Sequence, residues 1–185
     1  MYKFVFLINP ISGGGQGKVI HQYLPEIMSS LNYTEDQWKA EFTNIDGLDN
    51  QIRDALANTE KLVAVGGDGT VSSVLSVMVS SEYAKSVKIG LIPLGTGNDL
   101  ARVLNLYKPY VDKGLLFLVR RLLQAKARPF DIWKVNGKLA FANYFSGGID
   151  ARIAHDFNRA RANGEFNSNS VLVNKLHYVK SFFAD

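Results

Sequence analysis

The stretch KLVAVGGDGTVSSVLSVM, Lys61 to Met78, decides how the chain is built. Its first five residues, apolar from Leu62 to Val65, read as a strand. After Thr70 the pattern changes, and Val71, Val74, Leu75 and Met78 recur at helical spacing. A strand that passes through GGDGT, Gly66 to Thr70, into a helix is the first part of a βαβ unit, so a parallel strand is expected next. KIGLI, Lys88 to Ile92, supplies it and runs into a second glycine-rich turn, PLGTGNDLAR, Pro93 to Arg102.

The same alternation extends upstream. FVFLI, Phe4 to Ile8, reads as the first strand, and NPISGGGQGK, Asn9 to Lys18, follows it. Ile20, Leu24, Ile27, Met28 and Leu31 then mark a helix, in which Pro25 predicts a kink or an early break. WKAEFT, Trp38 to Thr43, reads as the second strand, with a helix on Leu48, Ile52, Ala55 and Leu56 behind it. The expected fold class is therefore α/β, a parallel-sheet nucleotide-binding domain with alternating strands and helices over residues 1–127. Residues 128–185 are expected to begin a β-rich second domain. Its first element is a hairpin in FDIWKVNGKLAFANYF, Phe130 to Phe145, turning at Asn136-Gly137.

Loops that leave the carboxyl ends of parallel strands emerge on one edge of the sheet, where helix N-termini also point unpaired N–H groups. Three glycine-rich loops are thus expected to meet in one cleft. There the glycines let backbone amides approach phosphate oxygens, and helix dipoles favour negative charge. A triphosphate is the natural occupant. The first loop fits neither familiar phosphate motif. Ser12 and Val19 stand where a Walker A loop needs glycine and a hydroxyl, and Lys18 stands where the dinucleotide fingerprint needs its third glycine.

Composition narrows the class. With 46% hydrophobic and 21% charged residues in 185, the chain is globular and can bury a full core. It has no cysteine, which removes disulfides and thiolate metal sites. Twenty-one Lys and Arg against 17 Asp and Glu give +4, a mild attraction to phosphate or anionic lipid rather than a nucleic-acid footprint. No apolar run approaches the roughly 20 residues that span a bilayer, and the N-terminus lacks a signal-peptide core. His21, His155 and His177 are scattered without metal-ligand spacing. YVDKGLLFLVRRLLQAKARPF, Tyr110 to Phe130, reads as an amphipathic helix whose apolar face packs on the sheet and whose basic residues could face an anionic membrane.

NPxSG, GGDGT and PLGTGNDxAR, in this order and at these separations, resemble the diacylglycerol kinase catalytic domain family, which includes bacterial lipid kinases and sphingosine kinases. The resemblance covers Asn9 to about Asp150, and FANYFSGGIDARI, Phe141 to Ile153, resembles the start of that family's second, β-rich domain. It implies a kinase that uses ATP and Mg2+ to phosphorylate a lipid hydroxyl such as that of diacylglycerol. It also implies a cytoplasmic location with peripheral association at the inner membrane face. The family's second domain carries a carboxylate proposed as general base and an acidic magnesium site, which have no counterpart here, so the chain reads as a fragment. After Asp156 the sequence offers a polar stretch, Phe157 to Ser170, read as a loop, and a short amphipathic helix, Val173 to Asp185.

Carried onto this sequence, the resemblance gives Asp68 a catalytic role, holding the magnesium ion that travels with ATP, or a water-linked acceptor hydroxyl. Helix capping is the competing use of an aspartate at that point. Gly66, Gly67, Gly69 and Thr70, with Gly95, Thr96 and Gly97, would cradle the phosphates; Asn9, Ser12 and Gly13 would frame the nucleotide; Thr43 would contact ATP from the second strand. Asn98 and Asp99 suit metal or acceptor positioning, again with capping as the rival, and Arg102 would neutralise the transferring phosphoryl group. Asp150 would face the lipid head group. An NAD kinase-like phosphotransferase shares GGDGT but not the third loop. A nucleotide-binding module without catalysis is the non-enzymatic alternative. Homodimerisation is left open by the sequence.

Overall fold

The structure, a computed structural model, describes residues 1–137, 139–143 and 148–163. Two compact units emerge, Met1–Asn143 and Tyr144–Asp185.

In the first unit β1 (Tyr2–Ile8), β2 (Trp38–Phe42), β3 (Thr59–Gly66) and β4 (Lys88–Pro93) form one sheet in the order β2-β1-β3-β4, every pair parallel. The central strands are apolar on both faces because both faces are covered. Val5, Leu7, Leu62, Ala64 and Leu91 pack with α2 (Leu48–Ala57) and α3 (Asp68–Val79) on one side. Phe4, Phe6, Ile8, Val63, Val65 and Ile92 pack on the other with α1 (Ser12–Ser30) and α5 (Tyr107–Gln124). A short helix, α4 (Asp99–Val103), lies between β4 and α5. The chain moves outward from β1 to β2 and then returns past β1 to β3. The β1/β3 boundary is therefore the point where strand order reverses, and such sheets open a ligand crevice there, beyond the carboxyl ends of the strands.

Three local readings change. Pro25 neither breaks nor ends α1, which continues to Ser30; it is exposed, so a carbonyl left without its intrahelical donor can meet water. The amphipathic segment begins earlier than expected, at Tyr107, and is interrupted at Gly114 (φ 78°, ψ −177°), a conformation open to glycine alone. Its second half buries Leu118, Val119, Leu122 and Leu123 against the sheet, as the pattern predicts. The polar stretch after Asp156 is not all loop: α6 runs from Ile149 to Ala162 in the second unit. ARIAHDFNRARA contains no glycine or proline and is rich in Ala and Arg, strong helix formers that outweigh its single asparagine. The rest of that stretch and the helix expected over Val173–Asp185 lie outside the described residues.

The hairpin is present but short: β5 (Trp133–Val135) pairs antiparallel with β6 (Leu139–Phe141), and Asn136 and Gly137 both take positive φ at the turn. It falls inside the first compact unit.

One half-buried cation ties β3 to the end of α5. Lys61 on β3 donates from Nζ to the carbonyls of Leu122 (2.6 Å) and Leu123 (3.2 Å), last-turn groups that have no intrahelical donor. Burial, and then the nearby Lys88, pull its pKa below the usual lysine value. Lys61→Met keeps the apolar stem and strands both carbonyls. It is expected to cost about 1–2 kcal/mol in a urea unfolding titration without altering nucleotide affinity.

Candidate functional site

The loops that follow β1, β3 and β4 leave adjacent strands at the same edge, and the structure shows each touching the next. Asn9, just past β1, donates from Nδ2 to Thr70 Oγ1 on α3 at 3.2 Å, while its Oδ1 accepts the Ile11 N–H at 3.2 Å. One side chain thus spans the β1/β3 crevice and shapes the first loop. Gly13 takes φ 62°, and a Cβ on it would stand 3.0 Å from the Leu94 carbonyl oxygen, so the first loop reaches the third. Gly67 and Gly95 meet backbone to backbone: a Cβ on Gly95 would lie 2.6 Å from Gly67 Cα. Such an approach admits only glycine at both positions. The ladder continues past the strands, with Asn9 N donating to Val65 O (2.9 Å) and Leu94 N to Gly66 O (2.9 Å), which fixes the height of the loops above the sheet.

Two carboxylates stand at this junction. A Cβ on Gly97 would meet Asp68 Oδ2 at 3.0 Å and the Asp99 oxygens at 3.4 and 3.5 Å, so both acids border one small space that a side chain would fill. Magnesium is commonly held by one or two carboxylates together with substrate phosphates, and this donor pair beside the glycine cradle fits that demand. Among the described residues no group of three or more His, Cys, Asp or Glu forms a complete metal cage. The oxygens needed to complete the coordination would come from phosphate and water.

The capping alternatives separate here. Gly67, not Asp68, is the N-cap of α3, and it makes no side-chain cap bond; Asp68 is the first helical residue and is half-buried. Asn98 is different. It is 3% exposed, left-handed (φ 54°), and turned back on its own loop: Oδ1 accepts from Gly95 N at 2.7 Å and Nδ2 donates to Gly95 O at 2.5 Å. It thereby closes the third loop into a ring, and a buried amide is satisfied by doing so. Arg102 donates from Nε to the Gly97 carbonyl at 2.7 Å, and its guanidinium lies 3.8 Å above the Tyr107 ring centroid.

The remaining sequence candidates of the first unit lie around this centre. Gly66 is buried at the end of β3 beneath Thr70, and Gly69 is exposed with open space where a Cβ would go. Thr96 is exposed at the tip of the third loop, and Ser12 is half-buried at the start of α1, its N–H directed to Asn9 O at 3.3 Å. Thr43 stands one strand further out on the same edge, just past β2, and donates its N–H to Ile8 O at 2.8 Å. Asp150 belongs to the second unit, near the start of α6.

Two residues carry the geometry without having drawn notice in the sequence. A Cβ on Gly17 would collide with the Asn9 carbonyl, so this glycine lets α1 sit against the first loop; the fourth glycine of SGGGQG was the available signal. Tyr107 lies outside every motif and left none.

Comparison with known proteins identifies the family. The profile of the diacylglycerol kinase catalytic domain matches residues 3–135, and that of the diacylglycerol kinase accessory domain matches residues 140–185. The eye-specific diacylglycerol kinase of Drosophila melanogaster is 33% identical over 94% of the chain, which spans 13% of that protein. Human diacylglycerol kinase iota is 28% identical over the whole chain, which spans 19% of it. The crystal structure of a diacylglycerol kinase from Bacillus anthracis superposes with a TM-score of 0.60 at 20% identity, over 75% of this chain and 47% of that one. The chain therefore spans less than half the length of these relatives, and with a catalytic-domain profile covering most of its residues it belongs to the diacylglycerol kinase family.

Proposed function

We propose that the chain carries the ATP- and magnesium-binding part of a lipid kinase, which transfers the γ-phosphoryl group to a lipid hydroxyl such as that of diacylglycerol. The observation that carries this reading is the mutual contact of three glycine loops around Asp68 and Asp99 at the β1/β3/β4 edge. Phosphoryl transfer asks a protein mainly for positioning and charge neutralisation. Gly66, Gly67, Gly69 and Thr70, with Gly95, Thr96 and Gly97, would form the phosphate cradle; the Gly95 N–H is held by Asn98 Oδ1, so Gly95 would serve through its missing side chain and not as a donor. Asn9, Ser12, Gly13 and Thr43 border the remainder of the nucleotide. Magnesium, when bound, supplies positive charge to the phosphate oxygens, and Asp68 and Asp99 are the side chains that would hold it.

A lipid acceptor puts the reaction at a membrane surface, which the protein would reach as a peripheral partner from the cytoplasmic side. No described helix is long and apolar enough to cross a membrane. Asp150 is the residue proposed to meet the lipid head group.

The test pairs calorimetric titration of Mg-ADP with transfer of label from γ-labelled ATP to diacylglycerol in vesicles, using the protein with its full second domain. Saturable nucleotide binding and labelled lipid are expected. A folded protein that binds no nucleotide would overturn the proposal, and label appearing on NAD but not on lipid would replace it with a nucleotide-kinase reading.

A further inference from the structure

We infer that Tyr107 is a positioning residue for the third loop, acting through Arg102. This rests on the nucleotide-site reading above and names a residue that none of the motifs contains. The chain of contacts is short. Arg102 Nε holds the Gly97 carbonyl at 2.7 Å, and a Cβ on Gly97 would meet the carboxylates of both Asp68 and Asp99. A lone exposed arginine would share that bond with water and with its own rotamers. Here the guanidinium also lies 3.8 Å from the centre of the Tyr107 ring, so the group that holds Gly97 through Nε has a second contact on the ring.

The backbone delivers the ring to that place. Helix α4 ends in a Schellman motif: Asn105 is left-handed (φ 55°) and donates to Arg102 O at 3.0 Å, while Leu106 N donates to Ala101 O at 2.8 Å. The chain therefore turns at Asn105 and brings Tyr107 across the Arg102 guanidinium. At the other end Arg102 N donates to Asn98 O at 2.9 Å, so backbone and side chain of the same arginine both grip the loop. Asn98 closes that loop from inside and Arg102 with Tyr107 closes it from outside. The predicted consequence is a preformed cradle, so Tyr107 acts on nucleotide affinity while touching no nucleotide.

Tyr107→Leu removes the π face, Tyr107→Phe keeps it, and Arg102→Gln removes the cation. In the protein without nucleotide, amide exchange at Gly95 to Asp99 is expected to speed up severalfold in Tyr107→Leu and Arg102→Gln and to stay at the wild-type rate in Tyr107→Phe. The Mg-ADP dissociation constant should rise about two- to fivefold in the first two variants, the range a partly exposed cation–π contact commands. The double variant should show no further rise beyond the larger single effect. Equal behaviour of Tyr107→Leu and Tyr107→Phe, or additive effects of the two single changes, overturns the inference. If the wild-type protein binds no Mg-ADP, the nucleotide reading fails while the exchange measurement still decides whether Tyr107 orders the loop.

Discussion

Asp68→Ala is expected to lower phosphoryl transfer by about a thousandfold or more, with the melting temperature held within a few degrees of wild type. The two halves of this expectation rest on different features of the same residue. As the first residue of α3, the carboxylate gains no more than the usual helix-dipole term, about 0.3–1 kcal/mol, and the cap position belongs to Gly67. Little folding free energy is therefore at stake. Functionally, Asp68 Oδ2 borders the same space beside Gly97 that Asp99 borders, and losing it removes half of the paired negative charge proposed to hold magnesium. Asp68→Asn is the sharper probe, since it keeps the shape and removes the charge. The measurement is turnover per folded molecule on diacylglycerol vesicles, with Mg2+ titrated. Activity within a few-fold of wild type would remove Asp68 from the chemistry, and a lowered melting temperature with normal turnover would return it to helix architecture.

How far the sequence could be read differs between fold and site. The alternation of apolar strands with helical periodicity is sufficient for a parallel α/β sheet, because strands covered on both faces show as unbroken apolar runs such as FVFLI and LVAV. Strand order is another matter. That β1 lies between β2 and β3 depends on crossover geometry, to which no residue pattern points directly, yet this order makes the first and second loops neighbours. The glycine positions were visible, and their reasons were not. Gly67 and Gly95 are glycines because their backbones touch, and Gly69 is a glycine with nothing against it. Asn98 reads in the sequence as a metal- or acceptor-positioning group, with helix capping as its rival, whereas its buried side chain braces Gly95 through both amide atoms. Arg102 was visible through its motif, whereas Tyr107 enters only because a left-handed Asn105 reverses the chain, which composition does not reveal. The stretch after Asp156 reads as a loop because Asn163, Gly164, Asn167 and Asn169 dominate it, and they mask the Ala- and Arg-rich helical segment ahead of them.

The contrast between Gly95 and Gly69 turns those reasons into a second large effect. Gly95→Ala places a Cβ 2.6 Å from Gly67 Cα and 3.0 Å from Asn98 Oδ1; the first is backbone and cannot rotate away. The second and third loops must separate, which is expected to cost about 1–3 kcal/mol of stability and to weaken Mg-ADP binding by about tenfold or more, because the amides facing the phosphates move apart. Gly69→Ala meets no protein atom within 4 Å and lies in the first turn of α3, where alanine is the better helix former by up to about 1 kcal/mol. Its melting temperature should hold or rise. If a phosphate fills the space in front of Gly69, the added methyl group nevertheless obstructs it, and affinity falls with no loss of stability. Differential scanning calorimetry and nucleotide titration on both variants separate the cases. A fall in affinity at Gly69 with stability retained marks ligand rather than protein as the object the methyl group meets. Unchanged affinity there would take Gly69 out of the phosphate cradle and leave the site to Gly66, Gly67 and the third loop.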